Sequence, residues 1–339
     1  MKADLTGPKP LTFALLRLLA DGEFHSGETM AQQLQVSRAS VHNALREAGT
    51  YGLTLYRVRG RGYRLIEPPQ WLDADHISRH LGKRRKQFHL TLLDSAPSSN
   101  TLLMRLMAQG APDGSVLAVE WQSGGRGRMG RTWHSGLGNA LTFSLLRRFD
   151  CGLASLSGLS LAVGVALIRA LRATGVEGAR LKWPNDVQDK NGAKLAGVLV
   201  EAQGDMLGPS AVVIGIGLNL ALPQDVSRQI DKPATSLMEM GSGKAPDRNR
   251  LLAVLLLELG DMLRDFAARG FSAFRAEWES CHALQDKRVR LSLPDGRQAA
   301  GIARGVTDDG ALILELDTGM QIFHSGDISL SAGAEHVAA

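Results

Sequence analysis

The chain has 339 residues, 44% apolar and 22% charged, which excludes a disordered or collagen-like polymer and leaves room for two or three folded domains. Its formal charge of +5 is uneven: residues 1–86 carry 14 Lys/Arg against 8 Asp/Glu, the remainder 25 against 26, so a polyanion partner is expected for the N-terminal part alone. Two cysteines, Cys151 and Cys281, exclude a disulfide framework, and the polar first ten residues and the diluted or short apolar stretches 152–168 and 251–257 argue against a signal core or membrane span, which together favour a reduced, cytoplasmic setting.

Leu11, Leu15, Leu16, Leu18 and Leu19 repeat at helical spacing and stop at Asp21-Gly22. Ser26 is placed to cap a second helix carrying Met30, Ala31 and Leu34, and Ser37 a third, residues 38–48, with Val41, Ala44 and Leu45 inward. Helix, tight turn, helix is the arrangement whose second helix enters a DNA major groove. Its outer side presents Ser37, Arg38, Ser40, His42, Asn43 and Arg46, all hydrogen-bonding types. Residues 53–59 and 62–66 then form a hairpin around Gly60-Arg61-Gly62, a wing whose Arg57, Arg59, Arg61 and Arg64 suit phosphates. A small helical interaction module with a solvated charged face is the competing reading; the turn, the wing and the local charge favour DNA. Pro68-Pro69 marks the exit, and helix 73–81 with the charge run 83–86 reads as a solvated connector.

Residues 88–93 read as a strand ending at Asp94, followed by a turn and a helix over 100–109. Ser98, Ser99 and Asn100 at that helix start can cap it or bind a polar ligand, with capping the simpler job. Strand 116–121 delivers the stretch W-Q-S-G-G-R-G-R-M-G-R-T-W, residues 121–133. Four glycines and three arginines fall within residues 124–131. Glycines let a backbone turn tightly and approach a ligand, and arginines offer forks of donors to carboxylate or phosphate. The stretch is either a loop that closes over a small anion or a solvated basic turn. It lacks the Gly-Lys-Ser/Thr ending of a P-loop.

A strand over 139–146 and an apolar helix over 157–173 follow. In Leu181-Lys-Trp-Pro-Asn-Asp-Val187, the Trp-Pro pair excludes helix at Trp183 and predicts an extended peptide, with Lys182, Asn185 and Asp186 at a strand end and Trp183 packed. Residues 188–193 are a polar hairpin tip. Lys194 enters a strand broken by Gly197, a sign of close backbone approach. Strand 211–220 holds Gly215, Gly217 and Asn219, without the third glycine of a dinucleotide fingerprint. Helices over 248–268 and 271–281 close this region. The order predicts a mixed sheet backed by helices rather than regular βαβ alternation. Short strands at 289–293, 298–306, 311–316 and 321–324, with Asp-Gly and Thr-Gly turns, predict a small five-stranded barrel of the SH3 kind, and residues after Leu330 a loose tail.

Gly125-Arg-Gly-Arg-Met-Gly-Arg131, Lys182-Trp-Pro-Asn-Asp186 and Lys194-Leu-Ala-Gly197 stand in the order seen in biotin protein ligases. With the winged helix in front, residues 11–331 resemble the bifunctional biotin ligases and biotin-operon repressors of bacteria. The resemblance implies an α+β multidomain chain: a winged helix-turn-helix over 1–66, a linker over 67–86, a central α/β mixed-sheet ligase domain of the class II synthetase kind over 87–283, and an SH3-like domain over 284–331.

The activity implied is formation of biotinyl-5′-AMP and pyrophosphate from biotin and ATP, then transfer of biotin to a lysine of the biotin carboxyl carrier protein of acetyl-CoA carboxylase. Lys194, Arg128 and Asp186 are the implied catalytic residues, Lys194 meeting carboxylate and phosphate, Asp186 holding the attacking lysine or Mg²⁺. Ser98, Ser99, Asn100, Gln122, Arg126, Gly127, Arg128, Lys194 and Gly197 are implied around biotin. Arg126, Arg128, Arg131, Trp133, Lys182, Asn185, Lys194 and Asn219 are implied around the adenylate, and Ser37, Arg38, Ser40, His42, Asn43, Arg46, Arg59 and Arg61 on operator DNA.

Ser99 stands where threonine is common, and Met129 where the best-known relative has arginine, one positive charge fewer on the loop. ATP chemistry implies Mg²⁺, but no cluster with metal-ligand spacing is readable and no metal residue is assigned. The resemblance also implies a homodimer when biotinyl-AMP is bound. Three rivals remain: a ligase whose winged helix no longer represses, a regulator that senses a ligand without ligase activity, and a lipoate ligase.

Overall fold

A computed structural model describes residues 7–241, 243 and 245–331. The expected tail beyond Leu330 lies outside the described residues except for Ser331. Three helices open the chain: α1 (Pro10–Leu18), α2 (Gly27–Gln33) and α3 (Arg38–Arg46). Pro10 fits the first turn of α1, where its missing N–H costs nothing. The Ser26 and Ser37 hydroxyls accept from Thr29 N and Ser40 N and so start α2 and α3. Strands β1 (Leu55–Val58) and β2 (Gly62–Leu65) pair as the antiparallel wing. Gly62, at φ 104°, passes so close to His25 that a Cβ would lie 2.0 Å from its carbonyl oxygen.

Helix α4 (Ala74–Leu81) follows, and the connector is not the solvated tether expected. Ile77 and Leu81 belong to the central core, and Arg84 grips Asp261 through both terminal nitrogens; Lys83, Arg85 and Lys86 are exposed. Amphipathic spacing in α4 was hidden by the charge run that follows it.

The central domain runs β3 (His89–Ala96), α5 (Ser99–Ala108), β4 (Ser115–Gln122), β5 (Ala140–Phe149), α6 (Leu159–Ala173), β6 (Arg180–Lys182), β7 (Asp186–Gln188), β8 (Lys194–Gly204) and β9 (Ser210–Asn219). Two short helices, α7 (Gln224–Ser227) and α8 (Leu237–Met240), precede α9 (Arg248–Arg269) and α10 (Arg275–Cys281). The seven strands lie in the order β3-β4-β5-β9-β8-β7-β6, with only β3–β4 parallel. Alternate residues of a strand face opposite sides of the sheet. Val116 and Ala118, Leu141, Phe143 and Leu145, and Val212, Ile214, Ile216 and Leu218 join the core beneath α6 and α9. Leu117, Val119, Leu146, Ala211 and Val213 meet α5 on the other face.

Residues 153–173 have the length and mean hydropathy (1.7) of a membrane span, more than the Gly/Ser dilution suggested, but α6 spends that apolar surface inside the core. The expected extended peptide at Trp183 is instead the tight turn between β6 and β7, with a cis Trp183–Pro184 bond. The restriction before proline excludes helix there but admits a turn.

Strands β10 (Arg288–Ser292), β11 (Gln298–Val306), β12 (Leu312–Leu316), β13 (Gly319–Phe323) and β14 (Asp327–Leu330) form an antiparallel sheet in the order β13-β12-β11-β10-β14. The fifth strand, β14, is the one the sequence pattern did not delimit. Val289, Leu291, Val306, Leu312, Leu314 and Ile328 share one continuous core with the central domain.

Candidate active site

The site lies on the α5 face of the sheet, beyond the end of α5. There the strand residues that point outward stop being apolar. On β5 the outward row is Thr142, Ser144, Leu146, and on β9 it runs Ala211, Val213, Gly215, Gly217, Asn219. The result is a cavity of about 510 Å³, within the range of small-molecule sites. The two β9 glycines are spaces for other side chains. A Cβ at Gly215 would lie 2.2 Å from Asn100 Oδ1, and one at Gly217 would lie 2.4 Å from the Trp133 indole.

One end of the cavity is polar and neutral. Ser98 caps α5, as its position predicts, by accepting from Thr101 N. Ser99 N donates to Gln122 Oε1 at 2.6 Å. Ser144, fully buried on β5, donates to Asn100 Oδ1 at 2.7 Å, and its oxygen lies 2.8 Å from Ser99 Oγ, placed to accept from that hydroxyl. Asn100 Nδ2 donates in turn to Glu201 Oε2. The sequence reading missed Ser144 and Glu201. A signal existed for Ser144, because Thr142 and Ser144 are the polar residues of an otherwise apolar run on one strand face.

The glycine-arginine loop folds across the cavity as a small hairpin. Gly127 N donates to Arg131 O, Trp133 N donates to Gly125 O, and Arg126 bridges to Thr132. Met129 sits at φ 54°, exposed at the tip. Each arginine is tied to a different element. Arg126 pairs with Glu201 on β8 at 2.9 Å and reaches Thr101 on α5. Arg131 pairs with Asp327 at the start of β14. Among the described residues, the Arg128 side chain donates only to Asn185, in the β6–β7 turn, at 3.4 Å. Among the described residues no carboxylate pairs with Arg128, and burial lowers its guanidinium pKa, opposed by Asp186. It is the loop charge left for a ligand.

Lys194 enters β8 beside the loop. Its ammonium lies 2.6 Å from Asp186 Oδ1 and 5.9 Å from the centre of the Trp133 ring. Lys194, Asp186, Asn185, Gly197, Arg126, Gly127, Arg128, Arg131, Trp133 and Asn219 all line the cavity with Ser98, Ser99, Asn100 and Gln122. Lys182 is the exception among the expected site residues: it stands opposite Asp186 in the β6–β7 register and does not line the cavity, and burial lowers its pKa, opposed by Asp186. Asn219 spends its amide on Thr235 O at 3.0 Å, tying β9 to the segment after α7.

On the DNA face, Arg38, Asn43, Arg46, Arg59 and Arg61 are exposed. Ser37 and Ser40 hydroxyls bond each other at the cap of α3, and His42 Nδ1 lies 3.2 Å from the Tyr63 hydroxyl, so these three are partly spoken for by the fold. Arg61 lies over the Phe24 ring at 4.3 Å.

Residues 92–219 match the biotin/lipoate A/B protein ligase family, residues 286–331 the biotin protein ligase C-terminal domain, and residues 11–64 an HTH domain. The bifunctional ligase/repressor BirA of Salmonella typhimurium is 36% identical over 321 residues, 95% of this chain and 97% of its own. This chain belongs to the biotin protein ligases. Among other members, the biotin–[acetyl-CoA-carboxylase] ligase of Mycobacterium tuberculosis is 34% identical over 70% of this chain and 88% of its own. The biotin protein ligase from Aquifex aeolicus, solved in complex with biotin and ATP, superposes with a TM-score of 0.59 at 28% identity, over 71% of this chain and 97% of its own. The ligase fold, the N-terminal HTH domain and the antiparallel C-terminal domain are thus those the sequence predicted.

Proposed function

We infer that this biotin protein ligase joins biotin and ATP to biotinyl-5′-AMP and transfers the biotinyl group to a lysine of a biotin carboxyl carrier protein in the cytoplasm. The observation that carries the reading is the cavity's polarity. A neutral hydrogen-bonding end, built by Ser99, Asn100, Gln122 and Ser144, suits an uncharged urea-like ring. The opposite end, with Lys194 and Arg128, suits a carboxylate meeting a phosphate.

A carboxylic acid does not acylate an amine at neutral pH, because hydroxide is a poor leaving group; AMP is a good one. Adenylation brings two anions together, so the protein must neutralise charge, align the carboxylate with the α-phosphorus and exclude water. Lys194, held by Asp186 before substrates arrive, is placed to stabilise the charge that builds between them. Arg128 is the half-buried guanidinium that faces the same space. Arg126 and Arg131 act less as ligands than as rivets, since both terminal nitrogens of Arg126 are engaged by Glu201 and Thr101 and Arg131 already pairs with Asp327. Trp133, packed over Gly217, covers the floor.

Magnesium bound with ATP would supply charge neutralisation; of the two carboxylates that line the cavity, Asp186 and Asp231, Asp186 beside Lys194 would hold it. After pyrophosphate leaves, the carrier lysine attacks the acyl carbon, AMP departs with the bonding pair, and Asp186 is placed to hold the incoming amine.

The deciding experiment incubates the protein with biotin, labelled ATP and a carrier domain, comparing wild type with Lys194→Ala. Wild type forms pyrophosphate and biotinylated carrier, and the variant is slower by about 10²–10³-fold. No pyrophosphate from wild type removes the ligase reading; an unimpaired variant removes Lys194 from the mechanism.

The winged helix supports a second role, repression of biotin genes as a homodimer assembled on biotinyl-AMP. Its exposed Arg38, Asn43, Arg46, Arg59 and Arg61 carry this reading. A gel shift on the biotin-gene promoter tests it at two salt concentrations, with and without biotin plus ATP. Binding should strengthen with the substrates and weaken with salt; no shift under any condition leaves a ligase that does not repress.

A further inference from the structure

We propose that Lys232 binds the β- and γ-phosphates of ATP and releases them as pyrophosphate, a role that rests on the adenylation just described. Lys232 lies outside the motifs that carry the family resemblance. The segment that follows α7 runs beside the start of β8: Lys194 N donates to Pro233 O at 2.9 Å, Thr235 N donates to Lys194 O at 2.9 Å, and Lys194 and Ala234 form a parallel bridge. Asn219 holds the same segment from β9. Lys232 is therefore carried to the cavity wall by backbone pairing with the residue that meets the α-phosphate, not by a loose loop.

The charge inventory of the wall points the same way. Arg126, Arg131 and Lys194 pair with Glu201, Asp327 and Asp186. Among the described residues, no carboxylate pairs with Lys232 or with Arg128. Arg128 is half-buried, at depth; Lys232 is exposed, at the mouth. Lys232, Arg131, Lys194 and Asp186 line the same cavity; partial burial and the Arg131 charge lower the Lys232 pKa, as does Lys194, while Asp186 opposes them.

In adenylation a carboxylate oxygen of biotin bonds to the α-phosphorus. The bond from that phosphorus to the α,β-bridging oxygen breaks, and the oxygen leaves with the electron pair on pyrophosphate. Negative charge thus grows on the β-phosphate side as the bond breaks. A cation there stabilises the transition state, and one on a flexible stem at the mouth lets the product go before a carrier lysine enters.

The test separates the two half-reactions, because biotinyl-5′-AMP has no β- or γ-phosphate. Wild type, Lys232→Ala and Lys232→Arg are compared for ATP KM, inhibition by inorganic pyrophosphate, and transfer of biotin from preformed biotinyl-5′-AMP to a carrier domain. In Lys232→Ala, pyrophosphate inhibition weakens and ATP KM rises by about tenfold, transfer from the preformed adenylate is unchanged, and Lys232→Arg recovers most of the loss. Unchanged pyrophosphate inhibition in Lys232→Ala, or a transfer rate that falls as much as adenylation does, overturns the assignment. Wild type that makes no pyrophosphate overturns the ligase reading and this assignment with it.

Discussion

The winged helix and the C-terminal sheet flank the same central domain, yet they are attached by different physics. The winged helix has its own core, from Phe13 to Leu65, which takes in the buried Trp121 and Leu137 of its neighbour and has Trp71 packed against it. Trp121 meets Tyr51 edge to face at 5.4 Å, and Leu137 N donates to Tyr51 O. Among the described residues the C-terminal sheet has no separate core: Val289, Leu291, Leu314 and Ile328 belong to the cluster that includes α6, α9 and the central sheet. Trp183 stitches the seam further by donating to Gly310 O at 3.0 Å. A domain with its own core can move against its neighbour as a unit, whereas one that shares a core must fold and melt with it. That division suits a chain whose N-terminal part must answer to DNA and whose C-terminal part anchors the loop over the site through Asp327.

Equal truncations on the two sides test this most severely. Leu16 and Leu291 are both fully buried. Leu16→Ala and Leu291→Ala should each cost about 2–5 kcal/mol, but in different transitions. By calorimetry, Leu291→Ala should lower the main transition and ligase activity together. Leu16→Ala should lower an earlier, smaller transition and leave adenylation nearly intact. A single transition that shifts equally in both variants would break the comparison.

The same contrast explains what was legible in the sequence. The winged helix could be read because its signals are local: Ser26 and Ser37 at caps, apolar residues at helical spacing, glycines at the wing tip. The glycine-arginine loop could be read because its glycines and arginines are contiguous. The residues that complete the site could not. Glu201, Asp327 and Lys232 are 75, 196 and 38 residues from the Arg126, Arg131 and Lys194 they serve, and no periodicity reports a partner at such separations. The shared core of the C-terminal sheet was invisible for a related reason. Alternation in β10 and β12 shows that a face is buried but not against what, and the packing of α4 was masked by the basic run that follows it.

The seam between central domain and C-terminal sheet also carries a proton-sensitive group. His282 stacks on Trp278 at 4.5 Å and bridges to Leu181, its Nε2 buried without a partner. Burial pushes its imidazole down to about 4 from an ordinary value near 6.5. Above pH 6.5 neither folded nor unfolded chain binds this proton. Between 6.5 and 4 only the unfolded chain does, so stability is lost as pH falls, by at most ~1.4 kcal/mol per pH unit. His282→Phe keeps a ring on Trp278 and removes the proton. From pH 7 to pH 5, wild type should lose roughly 2 kcal/mol more than the variant in denaturant melts of the main transition. Equal losses would show that His282 is protonated in the folded protein or solvated at the seam.

The smallest effect belongs to the outer joint of the winged helix. Arg17 pairs with Asp94 across the domain boundary at 2.5 Å, with both side chains about two-fifths exposed, and lies over the Trp71 ring at 4.6 Å. An exposed pair contributes about 0–1 kcal/mol and less as salt rises; stacking on an indole is a contact of another kind and less sensitive to salt. Asp94→Ala removes the pair alone, whereas Arg17→Ala removes both. Asp94→Ala should therefore shift the earlier transition by less than about 1 kcal/mol at low salt and by almost nothing at high salt. Arg17→Ala should retain a measurable shift at high salt, because Trp71 has lost its cover. If the two variants coincide at both salt concentrations, the cation over Trp71 contributes nothing, and the winged helix is docked by its borrowed aromatic and aliphatic contacts, Trp121 and Leu137, without electrostatic help at its edge.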